Sequence, residues 1–120
     1  MAEREWKDKI SIPDGKHEGK IIRTETRTEP YKYYNIFVEV KVGEKIIELK
    51  HSVPDHLSES SKLGKLLIRF GEKFEAGKKV DPDTIFIGKK VSFMALTEKK
   101  EKDGEIREFI TIVDGSLKPN

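Results

Sequence analysis

The chain has no cysteine and no glutamine, its only asparagines are Asn35 and Asn120, and Trp6 is its one tryptophan. Without cysteine there can be no disulfide framework, thiol nucleophile or thiolate metal site. No apolar run is long enough to cross a bilayer and no signal-peptide pattern is read at the start, so a cytosolic protein is expected. A formal net charge of +2 provides no strong overall field toward nucleic acid or membrane. Any electrostatic footprint must therefore come from where the charges sit. Charged residues make up 38% of the chain and the cations are mostly lysine. That abundance, with so few thermolabile amides, is the bias of hyperthermophile proteins. It also makes scattered lysines a solvated surface before they are a binding site.

What is present is organised around Tyr31–Val42. The even positions Tyr34, Ile36, Val38, Val40 and Val42 form an unbroken apolar row, and the odd positions are Tyr31, Tyr33, Asn35, Phe37, Glu39 and Lys41. Period-two alternation of β-branched and aromatic residues predicts a strand with its even row toward a core. The odd row faces outward and still carries three rings. Two readings stand: stacking platforms for unpaired bases, or packing against a loop, the N-terminal arm or another subunit.

At 120 residues the chain is one domain, read as an arm over residues 1–9 and a folded unit over 10–120. Trp6, in the arm, reads first as a plug for one end of the core. Pro13-Asp14-Gly15 is a turn, followed by a first strand from Lys16 to about Thr28. Gly19 within it suggests a bulge or a close backbone approach, and the adjacent Ile21 and Ile22 leave the inward side beyond the bend open. Arg23 and Arg27 share one face, with Glu25 between them. A tight turn at Gly43-Glu44 predicts a third strand, Lys45 to Val53, with Ile47 and Leu49 inward and Lys50 and Ser52 outward. Ser58-Glu59-Ser60-Ser61 offers N-cap hydroxyls for a helix from about Lys62 to Phe70. Its stripe is Leu63, Leu66, Leu67 and Phe70, with Gly71 at the C-terminal cap. Asp81-Pro82-Asp83 reads as a turn and Thr84–Ile87 as extended. A fourth strand runs from Val91 to about Lys99. The Asp103-Gly104 turn sets Thr97 opposite Ile110 and Ala95 opposite Ile112, with Met94, Leu96 and Phe109 on the other face.

Little here supports chemistry. His17, His51 and His56 are the only histidines, and Pro54 prevents one regular element from aligning the last two. A zinc site needs three or four protein ligands. Asp81 and Asp83 read as turn and cap residues, and there is no glycine-rich phosphate loop or nucleophile elbow. Neither enzyme nor cofactor is expected.

Three strands, a helix and two further strands make a mainly β chain. A five-stranded sheet hides its edges by closing into a small barrel, with the one helix between strands three and four over its end. In this pattern the chain resembles an OB-fold over roughly Ile10 to Pro119. Three pieces, Pro13-Asp14-Gly15-Lys16-His17-Glu18-Gly19-Lys20-Ile21, Ser60-Ser61-Lys62-Leu63-Gly64-Lys65-Leu66-Leu67 and Ile87-Gly88-Lys89-Lys90-Val91, are together similar to small single-stranded DNA-binding proteins of phages and archaea. That resemblance implies a groove across strands two and three, with Tyr33, Phe37 and Tyr31 stacking on bases. Arg23, Arg27, Lys41, Lys50, Lys89 and Lys90 would meet phosphates. The chain departs from bacterial relatives of that kind by lacking an acidic tail, and its charge is near neutral, which points to an accessory role. The implied partner is single-stranded DNA or RNA. The competing expectation is a protein-interaction or assembly module, with the same rings buried against a partner or a second copy.

Overall fold

A computed structural model describes residues 12–120. The expected N-terminal arm, Trp6 included, and the first two residues assigned to the folded unit lie outside the described residues. β1 (Gly15–Arg27) is the strand the others are built on. Its first half pairs with β4 (Lys90–Lys102) and its second with β2 (Tyr33–Val42), antiparallel in both cases. Gly19 lies where the pairing changes over. A Cβ there would stand 2.6 Å from the Glu39 carbonyl oxygen and 2.8 Å from Val38 Cγ1, so only glycine lets β2 pass. The bulge expected around Gly19 lies at Ile22, where the β1–β2 register slips between Ile21 and Arg23. It reverses the parity of the strand: Ile21 is fully buried, Arg23 points out, and Thr24 turns back toward the inner row of β2.

β2 carries the core row as its alternation requires, with Tyr34, Ile36, Val38 and Val40 all buried. β3 (Lys45–Pro54) pairs with it residue for residue and adds Ile47, Leu49, His51 and Val53 to the same side. β5 (Glu105–Ile112) returns along β4 in the register set by the Asp103-Gly104 turn, Thr97 opposite Ile110 and Ala95 opposite Ile112. Asp103 and Gly104 both have positive φ, as that turn demands. The ladder path is therefore β3-β2-β1-β4-β5, mainly β and antiparallel throughout, and a two-residue β6 (Lys118–Pro119) pairs with β4. β3 and β5 touch, but no ladder joins them, and the path bends back without closing into a barrel. Asp114, just past β5, faces His51 of β3 at 4.0 Å across this seam.

α1 (Lys62–Arg69) buries Leu63, Gly64, Leu66 and Leu67, with Phe70 half-buried beside them. Ser61 caps it by accepting from the Gly64 N–H at 2.9 Å. Gly71, at φ +100°, closes the other end. The Glu72 N–H donates to the Leu67 carbonyl at 3.0 Å and the Gly71 N–H to that of Ile68 at 3.0 Å, the Schellman pattern. The segment expected to be extended from Thr84 is instead α2 (Pro82–Phe86), so the described residues hold two short helices where one was expected. Proline at its first turn and Asp81 as cap start it locally. Tertiary bonds hold it: Thr24 Oγ1 donates to Asp83 Oδ1 at 2.7 Å and the Tyr34 hydroxyl donates to the same oxygen. Those two bonds, Thr24 first, hold the Asp83 carboxyl below its usual range, while burial and then Asp83 push the Tyr34 phenol up. Phe86, fully buried, stacks edge-on with Phe70 at 5.0 Å and ties both helices to one core.

Candidate nucleic-acid interface

The outward face of β1, β2 and β3 follows from the two registers. Its rows are Arg27–Tyr33–Pro54, Glu25–Asn35–Ser52 and Arg23–Phe37–Lys50, then Glu39–Glu48 and Lys41–Ile46. Phe37 lies on this face as its position in the odd row requires, yet it is only 9% exposed. The Arg23 guanidinium covers it, 3.7 Å from the ring centroid. A bare Phe37 platform is thus not what the fold presents; the accessible plane there is Arg23. Arg23 Nη2 also donates to Glu48 Oε1 at 2.5 Å, and Nη1 lies 4.0 Å from Glu25 Oε2. The arginine expected to meet phosphate is held in place by one ring and two carboxylates.

Tyr33 is half-buried, and Tyr31 stands 69% exposed with its ring edge-on to Tyr33 at 6.5 Å. Arg27 donates through Nε to the Glu29 carbonyl at 2.8 Å, which turns it toward the β1–β2 loop beside those tyrosines. Lys50 and Lys41 are exposed. Asn35 is buried within the face and accepts from Ser52 Oγ at 2.6 Å. Lys90 belongs to a separate shallow groove of about 430 Å³, lined also by Glu18, Gly19, Lys20, Glu39, Lys41 and Asn120. The candidate residues therefore fall into two neighbouring sets joined through Glu39 and Lys41. Lys89 is exposed outside both, its carbonyl accepting from the Ile21 N–H at 2.9 Å.

Lys20 was missed as a cation of the groove, and Glu48 as a carboxylate of the face. The parity that puts Lys50 and Ser52 outward puts Glu48 there as well. No known protein-family model and no curated protein matches this chain.

The histidines divide. His17 Nε2 is 2.6 Å from the Pro13 carbonyl oxygen, His56 is exposed and His51 is buried on the inner row of β3. Among the described residues, no group of three or more His, Asp and Glu stands close enough together to hold a metal ion. No helix among them is long and apolar enough to cross a membrane. Burial holds the His51 imidazole below its ordinary value of 6.5; Asp114 opposes this, and Lys62 and Arg69 reinforce it. The unfolded chain then takes up a proton there more readily than the folded one. His51's share of stability is intact above pH 6.5 and is lost as the pH falls below that value. Urea midpoints taken between about pH 7.5 and 5.5 should fall with pH in the parent and fall less in His51→Gln. Parallel profiles would show that His51 is not the group responsible.

Proposed function

We propose that this chain is a binding module for single-stranded DNA with little sequence preference, built on an OB-like sheet. The observation that carries the reading is the Arg23 guanidinium over Phe37, 3.7 Å from the ring centroid, with Tyr33 and Tyr31 next along the same face. Bases stack on guanidinium planes as well as on rings, and such stacking tolerates any base. Lys50, Arg27 and Lys41 border the face, and Lys90 with Lys20 extends the cationic path along the groove. Glu25, Glu39 and Glu48 dilute that charge, which suits a module of modest affinity and an accessory role. The strand order supports the OB-like reading, since such barrels are partly open and bind through their second and third strands.

Titrating labelled oligo-dT by fluorescence anisotropy at several salt concentrations tests it. Saturable binding that weakens steeply with salt is expected, because cations released from the phosphates oppose it. Absence of saturable binding at low salt overturns the proposal. A second reading, an assembly module, draws on Met94, Leu96 and Phe109, exposed together on the outer face of the β4–β5 hairpin. A salt-resistant dimer in light scattering that ignores oligonucleotides would establish that reading instead.

A further inference from the structure

The seam between β3 and β5 holds a pocket of about 70 Å³, lined by His51 and Val53 of β3, Lys62, Lys65, Leu66 and Arg69 of α1, and Asp114 with Gly115. On the scale where one water needs roughly 10–15 Å³, that is room for several waters or one tetrahedral oxyanion. The three cations fall at i, i+3 and i+7 of α1 and so project from one side of it. Lys62 Nζ is bonded to Asp114 Oδ2 at 2.9 Å, so that pair is locally neutral. Neither Lys65 nor Arg69 has a carboxylate within ion-pair distance among the described residues. Arg69 Nη1 donates to the Leu117 carbonyl at 3.0 Å, which fixes the guanidinium without cancelling its charge. His51 is 6% exposed, and Asp114 Oδ1, 4.0 Å from its Nε2, is beyond hydrogen-bond reach.

We propose that this pocket is an oxyanion site for a single phosphoryl group, held by Lys65 and Arg69 from the helix and by a ring N–H of His51 from the sheet. The His51 ring lines a cavity rimmed by two cations that no carboxylate among the described residues neutralises, and a donor set of that kind suits an anionic acceptor. A cation is excluded by the same charges. Donors converging from a helix and a strand suit an anion with several acceptor oxygens better than a planar carboxylate. The phosphoryl group could belong to free phosphate or to the terminus of a nucleic acid. The site lies across the inner row of β3, apart from the stacking face, and its existence does not depend on the proposed function.

Inorganic phosphate titrated into the full chain at constant ionic strength, followed through the histidine ring resonances by NMR, decides it. A saturable shift of His51 is expected, with His17 and His56 unmoved, and Lys65→Gln should weaken phosphate by about tenfold. Parallel titrations with 5′-phosphorylated and 5′-hydroxyl oligo-dT identify the source. A His51 shift produced by the phosphorylated oligomer alone assigns a nucleic-acid end, and one produced by inorganic phosphate alone assigns the free ion. A linear drift shared by all three histidines, an unchanged affinity in Lys65→Gln, or equal saturation by acetate overturns the site.

Discussion

Gly64→Ala will destabilise this protein by about 3 kcal/mol. In an ordinary helix the same change is favourable by about 1 kcal/mol, because glycine gives up more backbone freedom on folding. Position 64 is not ordinary. A Cβ there would stand 1.7 Å from the Ser58 carbonyl oxygen, 2.8 Å from its carbon and 3.0 Å from Ser61 Oγ. The obstruction is backbone, and it is pinned: the Ser61 N–H and hydroxyl both donate to that carbonyl, at 3.2 and 2.9 Å. The Ser58 N–H donates back to Ser61 Oγ at 3.0 Å, so the turn cannot swing aside without surrendering the cap of α1. Lifting α1 instead would withdraw Leu63, Leu66 and Leu67 from the core. Thermal unfolding followed by circular dichroism should show a midpoint lowered by about 10–20 °C. Lys65→Ala, one residue on and exposed, should stay within about 0.5 kcal/mol of the parent. A Gly64→Ala midpoint at or above the parent's would mean that α1 does not approach Ser58 in this way.

The second large effect concerns binding. Tyr33→Ala combined with Phe37→Ala should weaken oligo-dT by about 2–6 kcal/mol, since each stacked base is worth roughly 1–3 kcal/mol by truncation. The two act differently. Removing Tyr33 deletes a ring and the wall against which Tyr31 stands. Removing Phe37 deletes the floor under Arg23 and frees that guanidinium to follow Glu48 and Glu25. The salt dependence should be retained, because on the proposed reading Arg27, Lys41 and Lys50 would still meet phosphate, whereas Lys50→Ala should lower the slope by about one unit. Anisotropy titrations of parent and double variant at several salt concentrations, with circular dichroism to confirm folding, read both quantities. Equal affinity in parent and double variant would end the stacking model.

The parts that could be read from the chain are those governed by local periodicity. The even row of β2, the leucine stripe of α1 and the register of the Asp103-Gly104 hairpin each rest on a short repeat that burial then obeys. α2 escaped because five residues are too few for a helical period, and its holding bonds come from Thr24 and Tyr34, far away in sequence. β6 escaped for a similar reason: two residues ending in proline gain their place only by meeting Val91 and Ser92. The candidate face was legible in its residues but not in its arrangement. Tyr33, Phe37 and Lys50 share it as their alternation requires. That Arg23 lies on Phe37 depends on where the register slips, and two adjacent isoleucines do not reveal which one is the extra residue.

That slip has a wider effect on β1. Were Ile22 accommodated without a bulge, strict alternation from Ile21 would carry Arg23, Glu25 and Arg27 inward and turn Thr24 and Thr26 to solvent. Three charges would then press on the apolar interior, and the rings of β2 would lose their cationic neighbours. That single irregularity thus keeps the electrically active half of this strand on the wet side.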